Sequence, residues 1–408
     1  MDFADRPEEA EFRAACRDWL EANAVRRVDR STSGVMSVLG TEIGSDAALA
    51  EARTFQAKLA ADGWAGIHWP PEYGGRGATL IEQVIWGQEA SAFDIPDHVF
   101  RIGITMGGPT VIDHGTEEQK QRWLRPLLSG AEIWCQLFSE PGAGSDLASL
   151  RTSATRDGDE WVISGQKVWS SGAHYSQWGF LLARSNPDAP KHNGITYFLV
   201  DMRAPGIEIR PLKQMTGASH FCEVFFDDVR VPDGDRIGDV DDGWRVAQTT
   251  LLNERASIAD VLGEMGLVDA LIDLGSRAAS DGRPGTSDPR VRQLLARAYT
   301  DAAVMRYIGY RIVSAISRQR LPGAEASVAK LAMARLLQRV ADTGMHLGGP
   351  DSVGQPNPWR DILLAAPAVR IAGGSDEIQR NIIGERVLGL PKEPGPAKNT
   401  PFRELPTS

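Results

Sequence analysis

RTSATRDGDEWVISGQKVW, residues Arg151 to Trp169, reads as a β-hairpin inside a chain that is helical before and after it. Its β-branched and aromatic residues suit a strand, and the Asp157-Gly158 step tolerates the positive φ of a primed turn. Further strand-like runs follow at short spacing: GFLLAR (Gly179 to Arg184), ITYFLV (Ile195 to Val200), IEIRPL (Ile207 to Leu212) and CEVFFDDVRV (Cys222 to Val231). That spacing is the pattern of a small barrel or sandwich.

Outside this region the apolar period changes to that of helices. Leu49, Ala52, Gln56, Leu59 and Ala60 recur near a helical period, as do Ile81, Val84 and Ile85. Gly/Pro punctuation such as WPPEYGGRG (Trp69 to Gly77) separates the segments. After Trp244, long helical stretches return at Val291 to Ile316 and Ser327 to Met345, lengths that suit a bundle. Pro284, Gly285, Pro322 and Gly323 mark joints, and the proline-rich tail after Pro391 is expected to be loosely ordered. The expected fold is α+β and multidomain: an N-terminal helical domain (1–131), a central small β-barrel or sandwich (132–236), a C-terminal four-helix bundle (237–391) and a tail (392–408).

A chain of 408 residues exceeds what one hydrophobic core usually serves, in keeping with several packed parts. Its net charge of −10 argues against a nucleic-acid or anionic-lipid partner. Cys16, Cys135 and Cys222 stand far apart without a CxxC pair, so they read as buried thiols rather than metal ligands or a disulfide framework. The acidic start MDFADRPEEAEF is unlike a signal peptide, and no apolar run reaches the length of a membrane span. The expected location is cytoplasmic.

Three motifs bear on chemistry. EPGAGSD (Glu140 to Asp146) contains Gly-x-Gly, but it lacks the third glycine and precedes a strand, so it fails as a dinucleotide fingerprint and by itself fits a tight turn. QKVWSSG (Gln166 to Gly172) sets an indole and two hydroxyls at a strand end, where a tryptophan is ordinarily core. In LLNERASIADVL and the residues before it, Ala247, Leu251, Glu254, Ile258 and Val261 share one helix face, so Glu254 sits within an apolar stripe. A carboxylate there is neutralised, paired with a cation from elsewhere, or functional.

Helices, then a β domain, then a bundle resembles the acyl-CoA dehydrogenase family over nearly the whole chain. Five segments carry the resemblance: GW with WPPEYGGRG, HGTEEQKQRWLRPLLSGAE (His114 to Glu132), FSEPGAGSD (Phe138 to Asp146), GDEWVISGQKVWSSGA (Gly158 to Ala173) and IAGGSDEIQRNIIGERVLGLP (Ile371 to Pro391). The resemblance implies FAD as cofactor. Gln136, Phe138, Ser139 and Ser145 match residues at the flavin ring edge, Trp169 one that packs on the ring face, and Ser171 a hydroxyl near N5. Arg283 stands in for an arginine that reaches a neighbouring subunit's FAD, while Gly348, Gly349, Ser375 and Glu377 match other cofactor positions. Ser145, Arg255, Gly373 and Gly374 match substrate positions. The chain departs from the family at Met345, usually Gln, and at Asp351, usually Gly.

Most of the family carries its catalytic glutamate where this chain has Gly373. The isovaleryl-CoA and long-chain types supply it instead from the position matching Glu254, so the resemblance implies Glu254 as the α-proton base. The implied reaction is α,β-dehydrogenation of an acyl-CoA to a trans-2-enoyl-CoA, as in the β-oxidation of fatty acids. Hydride would pass to flavin N5, and a ribityl hydroxyl and the backbone N–H at Gly373 would stabilise the enolate. Electron-transferring flavoprotein is the implied acceptor, in a homotetramer or a heterotetramer with a related chain. Alternatives are an acyl-CoA or nitroalkane-type oxidase of the same fold, and a non-catalytic subunit of a heteromeric dehydrogenase. No metal site is expected.

Overall fold

The computed structural model describes residues 5–27, 45–257, 265–277, 283–316, 325–354, 357–392, 394 and 399–405. Before the β region lie α1 (Pro7–Asn23), α2 (Asp46–Ala61), α3 (Leu80–Ala90), α4 (Gly108–His114) and α5 (Glu117–Leu128). The starts of α3 and α5 are written in the sequence: Thr79 with Glu82 and Thr116 with Gln119 form reciprocal capping boxes that satisfy the first backbone donors. After the β region come α6 (Gly243–Ser257), α7 (Met265–Ser276), α8 (Pro289–Ile316), α9 (Glu325–Gly348), α10 (Pro358–Val369) and α11 (Asp376–Arg386). The chain thus runs from helices through a β domain to helices, as its periodicity indicates. No helix among the described residues is long and apolar enough to cross a membrane.

Contacts divide the chain into two compact units, Met1–Thr41 with Ala78–Ile95 and Arg255–Pro391, and Glu42–Gly77 with Pro96–Glu254 and Lys392–Ser408. In the second, eight strands form one sheet: β1 (Trp134–Leu137), β2 (Ser153–Asp157), β3 (Glu160–Ser171), β4 (Trp178–Arg184), β5 (Ile195–Asp201), β6 (Ile207–Leu212), β7 (Phe221–Pro232) and β8 (Arg236–Ile237). Their order is β8-β5-β4-β2-β3-β7-β6, with β1 parallel to β4. The hairpin joins β2 to β3 with Asp157 opposite Glu160, so Gly158 and Asp159 are the turn, and Gly158 takes the positive φ of 63°. Trp161 and Ile163 of β3, Leu181 and Ala183 of β4, Phe198 and Val200 of β5, and Val224, Phe226 and Val229 of β7 bury themselves in one cluster. Strands from both halves of the order therefore share one core, which requires the sheet to curve around its apolar face.

The WPPEYGGRG segment has a packing reason. Trp69 is only 1% exposed. A Cβ on Gly75 would collide with the Trp69 carbonyl, and one on Gly108, at the start of α4, would collide with the indole. One residue of the tail overturns the expectation of loose order. Phe402 is buried, its ring lies 3.8 Å from the Arg184 guanidinium, and its N–H donates to the Ala189 carbonyl. An aromatic ring that covers a buried cation and pairs its own backbone docks despite the surrounding prolines.

In the first unit α1 packs on α3, and α7, α8, α9 and α10 form the expected four-helix bundle with α9 in contact with the other three. Leu271, Leu295, Leu337, Val340, Trp359 and Ile362 belong to its core.

Candidate active site

The end of β3 breaks the alternation of a strand. Lys167 faces Val224 on β7 and Ser170 faces Cys222, so Val168 and Trp169 together oppose Glu223 alone. This bulge turns Trp169 out of the core: its φ is 62° and it is 60% exposed, while Lys167 and Ser170 on either side are fully buried. A bulky residue at positive φ costs on the order of 1–3 kcal/mol and persists only where its surroundings hold it. The indole and the Phe221 ring meet in a T-shaped pair at 5.7 Å, and most of the Trp169 side chain stays exposed.

Several expected site residues converge here. The Val168 N–H donates to the Ser139 carbonyl (2.9 Å), which joins the strand end carrying Trp169 and half-buried Ser171 to the segment that follows β1. Phe138 in that segment is core, packed edge-on against Phe180 and Tyr197. It can offer a ligand only its backbone. Gln136 and Ser139 are half-buried, and Ser145 is exposed farther along the loop.

Sequence reasoning missed the groups that hold this loop. Lys167 donates to the Glu140 carboxylate (2.7 Å) and to the Phe138 carbonyl (2.9 Å), and Glu140 also accepts from the N–H groups of Arg151 (2.6 Å) and Thr152 (2.8 Å). Arg184, also buried, donates to the Ala148 carbonyl (2.6 Å). A lysine in the inward phase of WVISGQKVW was the available signal, and it passes for a solvated charge unless the register is known. Burial pushes the Lys167 ammonium down to about 8 against the attraction of Glu140. Desolvation alone would raise the Glu140 carboxyl, but Lys167 and the backbone donors hold it below the usual range. A carboxyl lowered on folding stabilises above about pH 4.5 and loses that contribution as the pH falls through its folded value. The difference in thermal midpoint between wild type and Glu140→Gln should therefore be largest near neutrality and shrink below about pH 4.5. A difference constant with pH would mean that charge is not the cause.

On α6 the buried face is not quite the expected stripe. Val246, Ala247 and Thr250 are fully buried, whereas Leu251 and Glu254 are half-buried at its edge. Thr250 takes the central place because its hydroxyl is satisfied by those of Thr110 (2.8 Å) and Tyr197 (3.3 Å). Ile258 and Val261 lie outside the described residues, and so does the side chain of Arg255.

The remaining positions belong to the helical unit. Gly373 and Gly374 both take positive φ, 64° and 87°, and Gln379 donates to their carbonyls (2.9 and 3.3 Å). Ser375 caps α11 by accepting from the Ile378 N–H. Asp376 is buried and accepts from Arg370 (2.9 Å), while exposed Glu377 pairs with Arg380 (3.0 Å). Gly348 ends α9, Gly349 follows at φ 62°, and Met345 packs on the bundle core. Arg283 is exposed ahead of α8. Among the described residues no cluster of His, Cys, Asp and Glu could hold a metal.

Comparison with known proteins bears on the family of the chain. Family models described as the N-terminal, middle and C-terminal domains of acyl-CoA dehydrogenase match residues 6–131, 135–229 and 241–388. The chain is 40% identical over 391 residues to acyl-CoA dehydrogenase IpdE1 of Mycobacterium tuberculosis, across 94% of this chain and 98% of that protein. One chain of the ChsE4-ChsE5 complex from Mycobacterium tuberculosis is 29% identical with a TM-score of 0.80, covering 96% of this chain and 100% of that one. The Tcur3481-Tcur3483 steroid ACAD matches with the same TM-score, identity and coverage.

Proposed function

The chain belongs to the acyl-CoA dehydrogenase family, and on that premise we propose that it desaturates an acyl-CoA thioester between Cα and Cβ, with Glu254 as base and FAD as hydride acceptor. The observation that carries the FAD reading is Trp169. An indole turned outward by a bulge, at a backbone cost and beside the half-buried hydroxyls of Ser139 and Ser171, is a platform for a flat aromatic ligand with polar edges. The residues present fit the flavin ring. Gln136, Phe138, Ser139, Ser145, Trp169 and Ser171 would hold it, with Arg283, Gly348, Gly349, Ser375 and Glu377 proposed for the rest of the cofactor. Bound FAD would supply a two-electron acceptor; the proton chemistry falls to the chain.

The α-proton of a thioester is only weakly acidic, so its removal needs both a base and donors aimed at the carbonyl oxygen as charge develops there. Glu254 is the proposed base. Gly373 carries no side chain, and its left-handed backbone is proposed to turn an N–H toward the thioester oxygen. Arg255, Ser145 and Gly374 are the other proposed substrate contacts. The further proposals are a cytoplasmic place in acyl-CoA degradation and an electron-transferring flavoprotein as acceptor.

The purified protein should absorb as a flavoprotein or take up FAD on reconstitution. A colourless chain that binds no FAD would end this reading. Trp169→Gly gives a sharper prediction: FAD affinity should fall roughly tenfold, about 1–1.5 kcal/mol of aromatic contact. The flavin-free protein should keep its stability or gain up to about 1 kcal/mol, since glycine adopts the positive φ without strain. A loss of stability with unchanged FAD affinity would make Trp169 ordinary packing.

A second reading has its own support. One resembled structure is by name the ChsE4-ChsE5 complex, another carries the paired name Tcur3481-Tcur3483, and Met345 and Asp351 depart from the family pattern. The chain would then act as one half of a heteromer. Light scattering of the chain alone, with an acyl-CoA panel that includes a steroid-derived thioester, separates the two. A stable homotetramer bleached by acyl-CoA supports the first, and a chain inactive until a related chain is added supports the second.

A further inference from the structure

We propose that the buried Lys167–Glu140 pair is a positioning device for the flavin ring, setting the separation between the loop after β1 and the Trp169 indole. The inference rests on the flavin reading above. Neither side chain can touch a ligand, since Lys167 is fully enclosed and Glu140 nearly so. Nor is stability a sufficient reason for the pair, because a buried ion pair seldom outperforms apolar residues of similar volume.

What apolar residues could not reproduce is the set of bonds. One ammonium spans from β3 to the Phe138 carbonyl and to Glu140, and the Glu140 carboxylate spans on to the N–H groups of Arg151 and Thr152 at the entry to β2. Three chain segments, two of which carry residues of the proposed ring site, are thereby tied at one point. The tie adjoins the bulge: Val168, next to Lys167, donates to Ser139, and Trp169 follows at its strained φ. A strained backbone needs neighbours that fix it. Without the pair, the Phe138–Asp146 loop keeps the Val168–Ser139 bond and loses its second anchor on β3.

Lys167→Met alone leaves a carboxylate buried without its cation and is expected to fold poorly. Lys167→Met/Glu140→Gln removes both charges and keeps an acceptor for the backbone donors, so it is the variant to measure. Its flavin-free thermal midpoint should stay within a few degrees of wild type. Its FAD dissociation constant should rise about 10- to 100-fold, with a shifted flavin absorption spectrum, as one or two loop hydrogen bonds are lost. Amide exchange in the flavin-free protein should quicken over residues 138–146 and stay unchanged in β4 and β5.

Glu140→Gln alone keeps Lys167 on the Phe138 carbonyl and should raise the dissociation constant only about three- to tenfold. Wild-type FAD affinity and spectrum in either folded variant would overturn the proposal. So would unchanged exchange over residues 138–146 in the double variant. The exchange measurement needs no FAD, so a wild-type chain that binds none would refute the flavin reading while exchange still judged the tie.

Discussion

Glu254→Gln is expected to lower the rate of flavin bleaching by acyl-CoA by about 10²- to 10⁴-fold or more, with FAD and ligand binding retained. Gln keeps the size and hydrogen bonding of the side chain and removes its basicity. The size of the effect depends on whether another carboxylate can take over. Gly373 has no side chain, Asp376 is buried and held by Arg370, and Glu377 is exposed and paired with Arg380. Neither acid is available without breaking an existing interaction. Adding Gly373→Glu to Glu254→Gln should restore only part of the activity, because glutamate at φ 64° carries a left-handed strain of about 1–2 kcal/mol. Anaerobic stopped-flow absorbance measures both variants. Bleaching at the wild-type rate in Glu254→Gln would remove Glu254 as the base.

Trp69→Ala should cost about 3–5 kcal/mol, the range for emptying a large buried aromatic site. The neighbours cannot close over the cavity, since Gly75 and Gly108 were small in order to admit Trp69 and have no side chain to move in. For a unit of this size that loss corresponds to a fall in thermal midpoint on the order of 10 °C. Differential scanning calorimetry reads it directly. A fall of only one or two degrees would show that the indole, though enclosed, contributes little to holding this unit together.

Both expectations draw on the sequence and the structure unequally. The order of element types was legible in the sequence, because period 2 and period 3.6 are local properties of the chain. The hairpin at Gly158, the capping boxes at Thr79 and Thr116, the strands of the sheet and the bundle helices all follow from neighbours within a few residues. The choice of Glu254 over Gly373 as candidate base rests instead on the family resemblance, since the apolar stripe alone leaves a paired carboxylate equally open.

Register was not legible. Whether Trp169 points inward or outward depends on Glu223 of β7 facing two residues instead of one, a pairing made across more than fifty residues of chain. By alternation alone Trp161, Ile163, Lys167 and Trp169 would share the buried face; the bulge after Lys167 buries Ser170 instead and turns the indole out. The Lys167–Glu140 pair, the hydroxyls that let Thr250 displace Leu251 from the buried face of α6, and the docking of Phe402 on Arg184 are of the same kind. Each places a polar or strained group where its local pattern disfavours it, and the compensating partner lies far off in sequence. The residue types determine which chemistry the chain can offer, and only the folded sheet determines which of those groups face a ligand, because burial and bulges arise from pairings between distant segments.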